Sequence, residues 1–340
     1  MSELSLLSFS DTTRGELGMP PGIRFAKRSL DMDLLPVPHV THPGMLIAIG
    51  GAEDKTRERV ILRYFLEASG GPDANVVVLA TASEVPETGE RYADLFLSLH
   101  AENVEVLKIE TRQDALEARE EAHDLLEYAT GLFITGGSQL KLSSALGGTE
   151  IAAAIRRRHA AGMVVAGTSA GAGLLSEHMI AMGDSGSTPR RRLVHLAQGL
   201  GLAPDLIIDQ HFRRRDRLGR LLTALSYNPT PLGVGIDEDT AAIITGGSEL
   251  SVLGAGAVMV VDAAALRYTD SHNVHRGQPI AMLGLKLDFL TTGCRYDLKN
   301  RVGIVPPPMV HLDPIDRRAP ERPPVLTELQ PAAVAEDGGE

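Results

Sequence analysis

The chain has 340 residues, of which 43% are apolar, and 44 acidic residues stand against 33 basic ones for a formal charge of −11. One large core and a single elaborated domain fit this length better than two equal domains. The acidic balance argues against a general affinity for nucleic acid phosphates or anionic membrane, and no apolar run approaches the roughly 18 residues of a membrane-spanning helix. Cys294, the single cysteine, has no partner for an internal disulfide and no metal-ligand spacing around it, so it reads as a small packed thiol in a reducing compartment.

Residues 1–43 mix leucines and charges without sustained periodicity and without the basic start and apolar core of a secretion signal, and are read as a flexible N-terminal extension. From residue 44 the pattern changes. Short aliphatic runs at Met45–Ile49, Val76–Ala80, Val104–Ile109, Leu132–Ile134 and Met163–Ala166 alternate with helix-like stretches such as Lys55–Ala68 and Asp114–Ala129. This alternation predicts an α/β fold, a largely parallel sheet flanked by helices on both faces.

Four of these runs end in small or turn-forming residues: Gly50-Gly51, Thr81-Ala82-Ser83, Gly136-Gly137 and Gly167-Thr168-Ser169. Ligands of open α/β sheets bind outside the carboxyl ends of the strands, so these turns should converge on one crevice. Further strand-like runs at Leu232–Ile236, Ala241–Ile244, Ala257–Val261 and Ile280–Leu287 add C-terminal strands to the same domain, taken as residues 44–304. The remaining segment, 305–340, is rich in proline, ends in Glu-Asp-Gly-Gly-Glu, and is expected to be disordered.

The strongest chemical signal is Gly167-Thr168-Ser169-Ala170-Gly171, between the run ending at Ala166 and a small-residue stretch. A GxSxG sequence between strand and helix is a nucleophile elbow, although such a turn can also cap a helix or bind phosphate. A serine needs a base, and His211 in Asp209-Gln210-His211-Phe212 sits where a strand would deliver it to the sheet edge. Asp237, Glu238 and Asp239 all follow the Leu232–Ile236 run, and spacing alone does not choose which would orient the imidazole.

Arg213, Arg214, Arg215, Arg217 and Arg220 follow the histidine, a concentration of guanidinium groups suited to gripping carboxylates. Two other runs, Arg156-Arg157-Arg158 and Arg190-Arg191-Arg192, read as solvated helix starts, and His178 and His195 receive no role. Thr135-Gly136-Gly137-Ser138-Gln139 offers backbone N–H groups for an oxyanion, or an ordinary capped turn.

Taken as a set, Gly50-Gly51-Ala52-Glu53-Asp54-Lys55, Thr135-Gly136-Gly137 with Gln139, Gly167–Ala172, Asp209–Phe212 with Arg217–Leu221, and Gly235-Ile236-Asp237-Glu238 closely resemble the motifs of cyanophycinases, in the same order. The resemblance implies a fold like the class I glutamine amidotransferase domain, with serine in place of cysteine. It makes Ser169 the nucleophile, His211 the general base and Glu238 its orienting carboxylate, with N–H groups at Gly137 and Ala170 for the oxyanion. It places Gln139, Asp209, Gln210, Arg215, Arg217 and Arg220 around the substrate.

The implied activity is hydrolysis of cyanophycin, a polyaspartate carrying arginine on its side chains, to β-Asp-Arg dipeptides. A homodimer without metal or organic cofactor is implied as well, and the lone Cys294 and unpatterned N-terminal segment make a cytoplasmic setting the expectation. Two alternatives share the scaffold: an aspartyl dipeptidase with a smaller substrate, and a noncatalytic binding protein.

Overall fold

The computed structural model describes residues 43–305, so the expected extension and tail lie outside the described residues except for their innermost positions. In chain order the elements are β1 (Leu46–Ile49), α1 (Val60–Ala68), β2 (Asn75–Leu79), α2 (Thr88–Ser98), β3 (Asn103–Leu107), α3 (Arg112–Glu117), α4 (Arg119–Tyr128) and β4 (Gly131–Ile134). There follow α5 (Gln139–Leu146), α6 (Glu150–Ala160), β5 (Val164–Thr168), α7 (Ala170–Leu174), β6 (His178–Gly183), β7 (Val194–Gln198), β8 (Leu206–Gln210), α8 (Leu218–Tyr227) and β9 (Leu232–Ile236). The chain closes with β10 (Thr240–Thr245), β11 (Glu249–Gly254), β12 (Ala257–Asp262), β13 (Tyr268–Thr269), β14 (Met282–Leu283), β15 (Lys286–Thr291), β16 (Arg295–Asp297) and β17 (Val302–Ile304).

A nine-stranded sheet has the order β17-β16-β11-β10-β1-β5-β4-β2-β3. From β1 to β3 every pairing is parallel, and β10, β11, β16 and β17 extend that block antiparallel. Strands buried on both faces read as continuous apolar runs, which is why the parallel block was legible. Within β1, Ile47 and Ile49 join a core with Phe65 of α1 and Phe96 of α2, while Leu46 and Ala48 face the opposite core with Leu126 of α4, Leu142 of α5 and Ile155 of α6. Helices therefore cover both faces, as expected.

The later runs do not simply widen this sheet. Strands β8 and β9, a parallel pair, form a second, four-stranded sheet with β12 and β15. Its inner residues Ile208, Val234 and Val258 pack into the core beneath β1, and its outer face, through Ile207 and Met259, meets α8 and the β6–β7 hairpin at Leu221, Leu225 and Ile180.

Three boundaries differ from the sequence reading for local reasons. Helix α1 starts at Val60 and not at Lys55 because the Asp54 carboxylate accepts the N–H groups of Thr56, Arg57 and Arg59 (3.0, 3.0 and 2.9 Å) and winds that stretch into a turn. The Asp114–Ala129 stretch breaks at Ala118 into two helices, the first held by a reciprocal cap between Thr111 and Asp114. Gly284, at φ 101°, interrupts the expected Ile280–Leu287 strand between β14 and β15. The arginine runs are not helix starts: Arg157 and Arg158 occupy the last turn of α6, and Arg190–Arg192 lie between β6 and β7. Cys294 is half-buried against the main core. Among the described residues, no helix is long and apolar enough to cross a membrane.

Candidate active site

Strand β5 runs through Thr168 into Ser169, which holds φ 53° and ψ −115° before α7 begins at Ala170. That conformation costs a non-glycine residue on the order of 1–3 kcal/mol and persists only where the surroundings over-determine it. The flanking glycines do so by close packing. A Cβ on Gly167 would stand 2.3 Å from the Gly171 carbonyl oxygen, and one on Gly171 would stand 2.3 Å from that of Ile134. Helix and strand thus approach backbone to backbone, and the serine side chain is thrust out between them.

His211 follows β8 and takes φ 49°, with its N–H donating to the Gly50 carbonyl at 2.8 Å. Its Nε2 lies 2.9 Å from Ser169 Oγ, and its Nδ1 lies 2.7 Å from Glu238 Oε1. Gly51 allows this placement: at φ 94°, a Cβ there would fall 2.4 Å from His211 Cε1. Burial pushes the His211 pKa below its ordinary value, and the nearby Arg215 and Arg217 cations add to that, against the opposing pull of Glu238. The imidazole is consequently neutral near neutral pH, the form that can accept a proton. A hydroxyl, an imidazole and a carboxylate in this line are suited to activating the hydroxyl as a nucleophile.

Of the three neighbouring acids, only Glu238 reaches the histidine. Asp237 accepts from the N–H groups of Arg213 and Ala257 (both 3.2 Å) and pairs with Arg213 Nε at 2.9 Å. Asp239 accepts the Asp54 N–H at 2.9 Å.

The Thr135–Ser138 turn after β4 closes over the serine. A Cβ on Gly136 would be 3.0 Å from Ser169 Cβ, and Ser138 N–H is anchored to the Ala82 carbonyl at 2.8 Å. The N–H groups of Gly137 and Ala170 find no acceptor among the described residues. The turns after β1, β2, β4 and β5 accordingly meet at one place, as expected, and the carboxyl ends of β8 and β9 from the second sheet join them there.

The remaining candidates divide by exposure. Arg215 is exposed and close enough to depress the His211 pKa. Asp209 is fully buried and gripped from two sides by Arg220, whose Nε donates to Oδ2 at 2.7 Å while Nη2 donates to Oδ1. Arg217, also buried, donates from Nη1 to the Gln210 carbonyl at 2.6 Å and stands 3.6 Å from Asp209 Oδ1. Burial and the neighbouring Arg220 lower its pKa to about 10. Arg217 and Arg220 therefore spend their guanidinium groups inside the protein, which separates them from Arg215. Gln139 donates from Nε2 to the Ile180 carbonyl at 2.8 Å and so ties α5 to β6. Gln210 is buried, and its Oε1 accepts no hydrogen bond among the described residues.

One residue of the site carried no role in the sequence reading. Glu53 is buried directly behind the elbow, accepting from Thr168 Oγ1 at 2.6 Å and from the Tyr92 hydroxyl, and pairing with Lys55 Nζ at 2.8 Å. Burial alone would raise its pKa, but Lys55, Thr168 and Tyr92 outweigh it and hold the carboxylate ionised. The signal in the sequence was the Gly50–Lys55 string, which belongs to the motifs of the family resemblance but gives Glu53 no role by its spacing.

Comparison with known proteins gives the family of the chain. The model of Peptidase family S51 matches residues 45–252. A cyanophycinase of Synechococcus elongatus is 42% identical over 284 residues, covering 82% of this chain and 88% of its own. One from a Nostoc species is 42% identical over 286 residues, covering 84% and 93%, and one from Geminocystis herdmanii is 41% identical over 258 residues, covering 75% and 94%. The crystal structure of a peptidase from an acI-B1 actinobacterium has a similar fold, with a TM-score of 0.55 at 22% identity over 75% of this chain and 97% of that one. With a family model matching more than half of the chain and relatives of such identity over most of it, this chain belongs to peptidase family S51.

Proposed function

We propose that this chain is a serine-type hydrolase that cleaves cyanophycin to β-Asp-Arg dipeptides through an acyl-enzyme. The observation that carries the reading is the line from Ser169 Oγ through His211 to Glu238, in a chain 42% identical to proteins named cyanophycinase. His211 Nε2 takes the Ser169 proton as Oγ attacks a backbone carbonyl carbon of the polymer. The N–H groups of Gly137 and Ala170 hold the developing oxyanion. The protonated imidazole, steadied by Glu238, then gives its proton to the departing amine as the C–N bond breaks. Water, deprotonated by the same histidine, attacks the ester and releases the dipeptide and Ser169.

Arg215 is the residue of the cluster assigned direct contact with a substrate carboxylate. Asp209, Gln210, Arg217 and Arg220 form the wall behind it, and Gln139 holds the hairpin that borders it. Residues 44–304 are assigned as the catalytic domain from their strand and helix patterning, a cytoplasmic setting from the lone Cys294, and a homodimer from the family resemblance.

Rapid quenching of enzyme mixed with the polymer, followed by mass measurement of the peptide carrying Ser169, tests the reading. A covalent aspartyl-arginine adduct on Ser169 is expected. Full turnover with no adduct, together with cleavage by Ser169→Ala, would rule out the acyl-enzyme.

A further inference from the structure

The arginines at 190–192, read from the sequence as a solvated helix start, stand in a built setting. The segment from Asp184 to Leu193 runs alongside α8. Gly186 N–H donates to the Asp216 carbonyl (2.6 Å), Gly219 N–H to the Gly186 carbonyl (2.8 Å), Arg190 N–H to Thr223 Oγ1 (3.1 Å) and Arg192 N–H to the Tyr227 hydroxyl (2.7 Å). The segment thus begins beside the Arg213–Arg217 turn of the active site and ends at the far end of α8. There Arg191, Arg192, His195, His272 and Arg276 line a cleft of about 660 Å³, and among the described residues no acid lines it.

The walls of this cleft are fixed. Arg191 donates from Nη1 to the His272 carbonyl at 2.8 Å and to that of Val274, and Arg190 donates from Nη1 to the Gly277 carbonyl at 3.1 Å. Arg192 and Arg276, by contrast, are exposed, and neither pairs with a carboxylate among the described residues. Arg192 also holds φ 63°, in the left-handed region that a long side chain seldom occupies. A protein of charge −11 has its acids placed elsewhere and leaves this cleft positive, which suits an anion.

We propose that this cleft is a second recognition site for the polymer, in which Arg192 and Arg276 grip side-chain carboxylates of units remote from the scissile bond. The inference rests on cyanophycin being the substrate. Each unit of that polymer carries on its side chain an arginine with both a guanidinium and a free carboxylate, and the carboxylate is the group that Arg192 and Arg276 would bind through paired hydrogen bonds. Helix α8, from Leu218 to Tyr227, spans roughly 15 Å at the usual rise per residue. An extended polyaspartate backbone covers that distance in about five units. Long chains therefore reach both sites at once, and very short ones do not.

The test compares Arg192→Glu, Arg276→Glu and Arg192→Lys with the parent enzyme on long cyanophycin and on oligomers of about three units, too short to bridge the two sites. Arg191 is left unaltered because it holds the wall. For each glutamate variant, KM for the long polymer should rise about tenfold or more, as loss of a charge-assisted contact requires. Its kcat and all constants for the short oligomers should stay at parental values, and the lysine variant should fall between. Parental KM on long polymer for both glutamate variants overturns the second site and leaves the proposed function standing. Equal losses on long and short substrates overturn it too, since the change then acts through the active site. A parent enzyme that leaves both substrates intact overturns the proposed function and this inference with it.

Discussion

His211 Nδ1 faces Glu238 Oε1 at 2.7 Å, while the acids on either side of Glu238 are turned away to backbone N–H groups. Glu238→Gln keeps the shape but removes the charge that steadies the imidazolium, so turnover should fall about 10⁴-fold, as at the corresponding aspartate of other serine hydrolases. Asp237→Asn and Asp239→Asn should act on thermal stability and leave most of the turnover. Kinetics and melting curves of the three variants check this; a larger loss of turnover at Asp237 or Asp239 would move the orienting role.

The arginines of the cluster should separate in the same pair of measurements. Arg220→Ala strips a fully buried Asp209 of its bidentate partner, and breaking a buried pair costs about 3–5 kcal/mol. Its melting temperature should drop sharply. Arg215→Ala, exposed and outside the ion pairs around Asp209, should melt within about 0.5 kcal/mol of the parent and show its effect in KM. A stable Arg220→Ala with a raised KM alone would put that guanidinium on the substrate.

The pH profile carries a sign. Because His211 titrates below its ordinary value, kcat/KM should hold down through neutrality and fall only as acid protonates the base. Arg215→Gln removes one of the cations that disfavour the imidazolium, so the acidic limb should move to higher pH. A limb that stays in place, or moves to lower pH, contradicts the assignment of His211 as the base under the influence of Arg215.

The parallel half of the fold was legible because β1, β2, β4 and β5 are buried on both faces and so appear as unbroken aliphatic runs ending in small or turn-forming residues. The elbow was legible for a related reason: only small residues let α7 meet β5 so closely. The second sheet was not, because β8 and β9 carry the same apolar pattern as sheet-one strands and nothing local says with which strands they pair. Strands β7 and β11 interleave polar residues, and β6 is a single short Met-Ile-Ala-Met run shortly after the elbow, so none of the three stood out. Likewise, exposure within the arginine cluster depends on the distant fold, which buries Asp209 and draws two of the arginines inward.

Glu53 stands in a motif of the sequence, but its role rests on contacts that only the fold provides. Its two oxygens take hydrogen bonds from Thr168 and Tyr92 and a charge from Lys55. Glu53→Gln replaces one acceptor with a donor and leaves a buried hydroxyl facing it, at a cost of about 1–3 kcal/mol. Since Thr168 precedes the nucleophile, kcat should fall along with the melting temperature. Unchanged melting and turnover would mean that the elbow does not depend on this carboxylate.

The most direct measurement is incubation of the purified protein and of Ser169→Ala with cyanophycin, followed by mass analysis of the soluble products. The parent should release β-Asp-Arg dipeptides. Ser169→Ala, folded and still able to bind the polymer, should release them up to about a millionfold more slowly. Dipeptide release at parental rate by Ser169→Ala, or an intact polymer after incubation with the parent, would contradict the account.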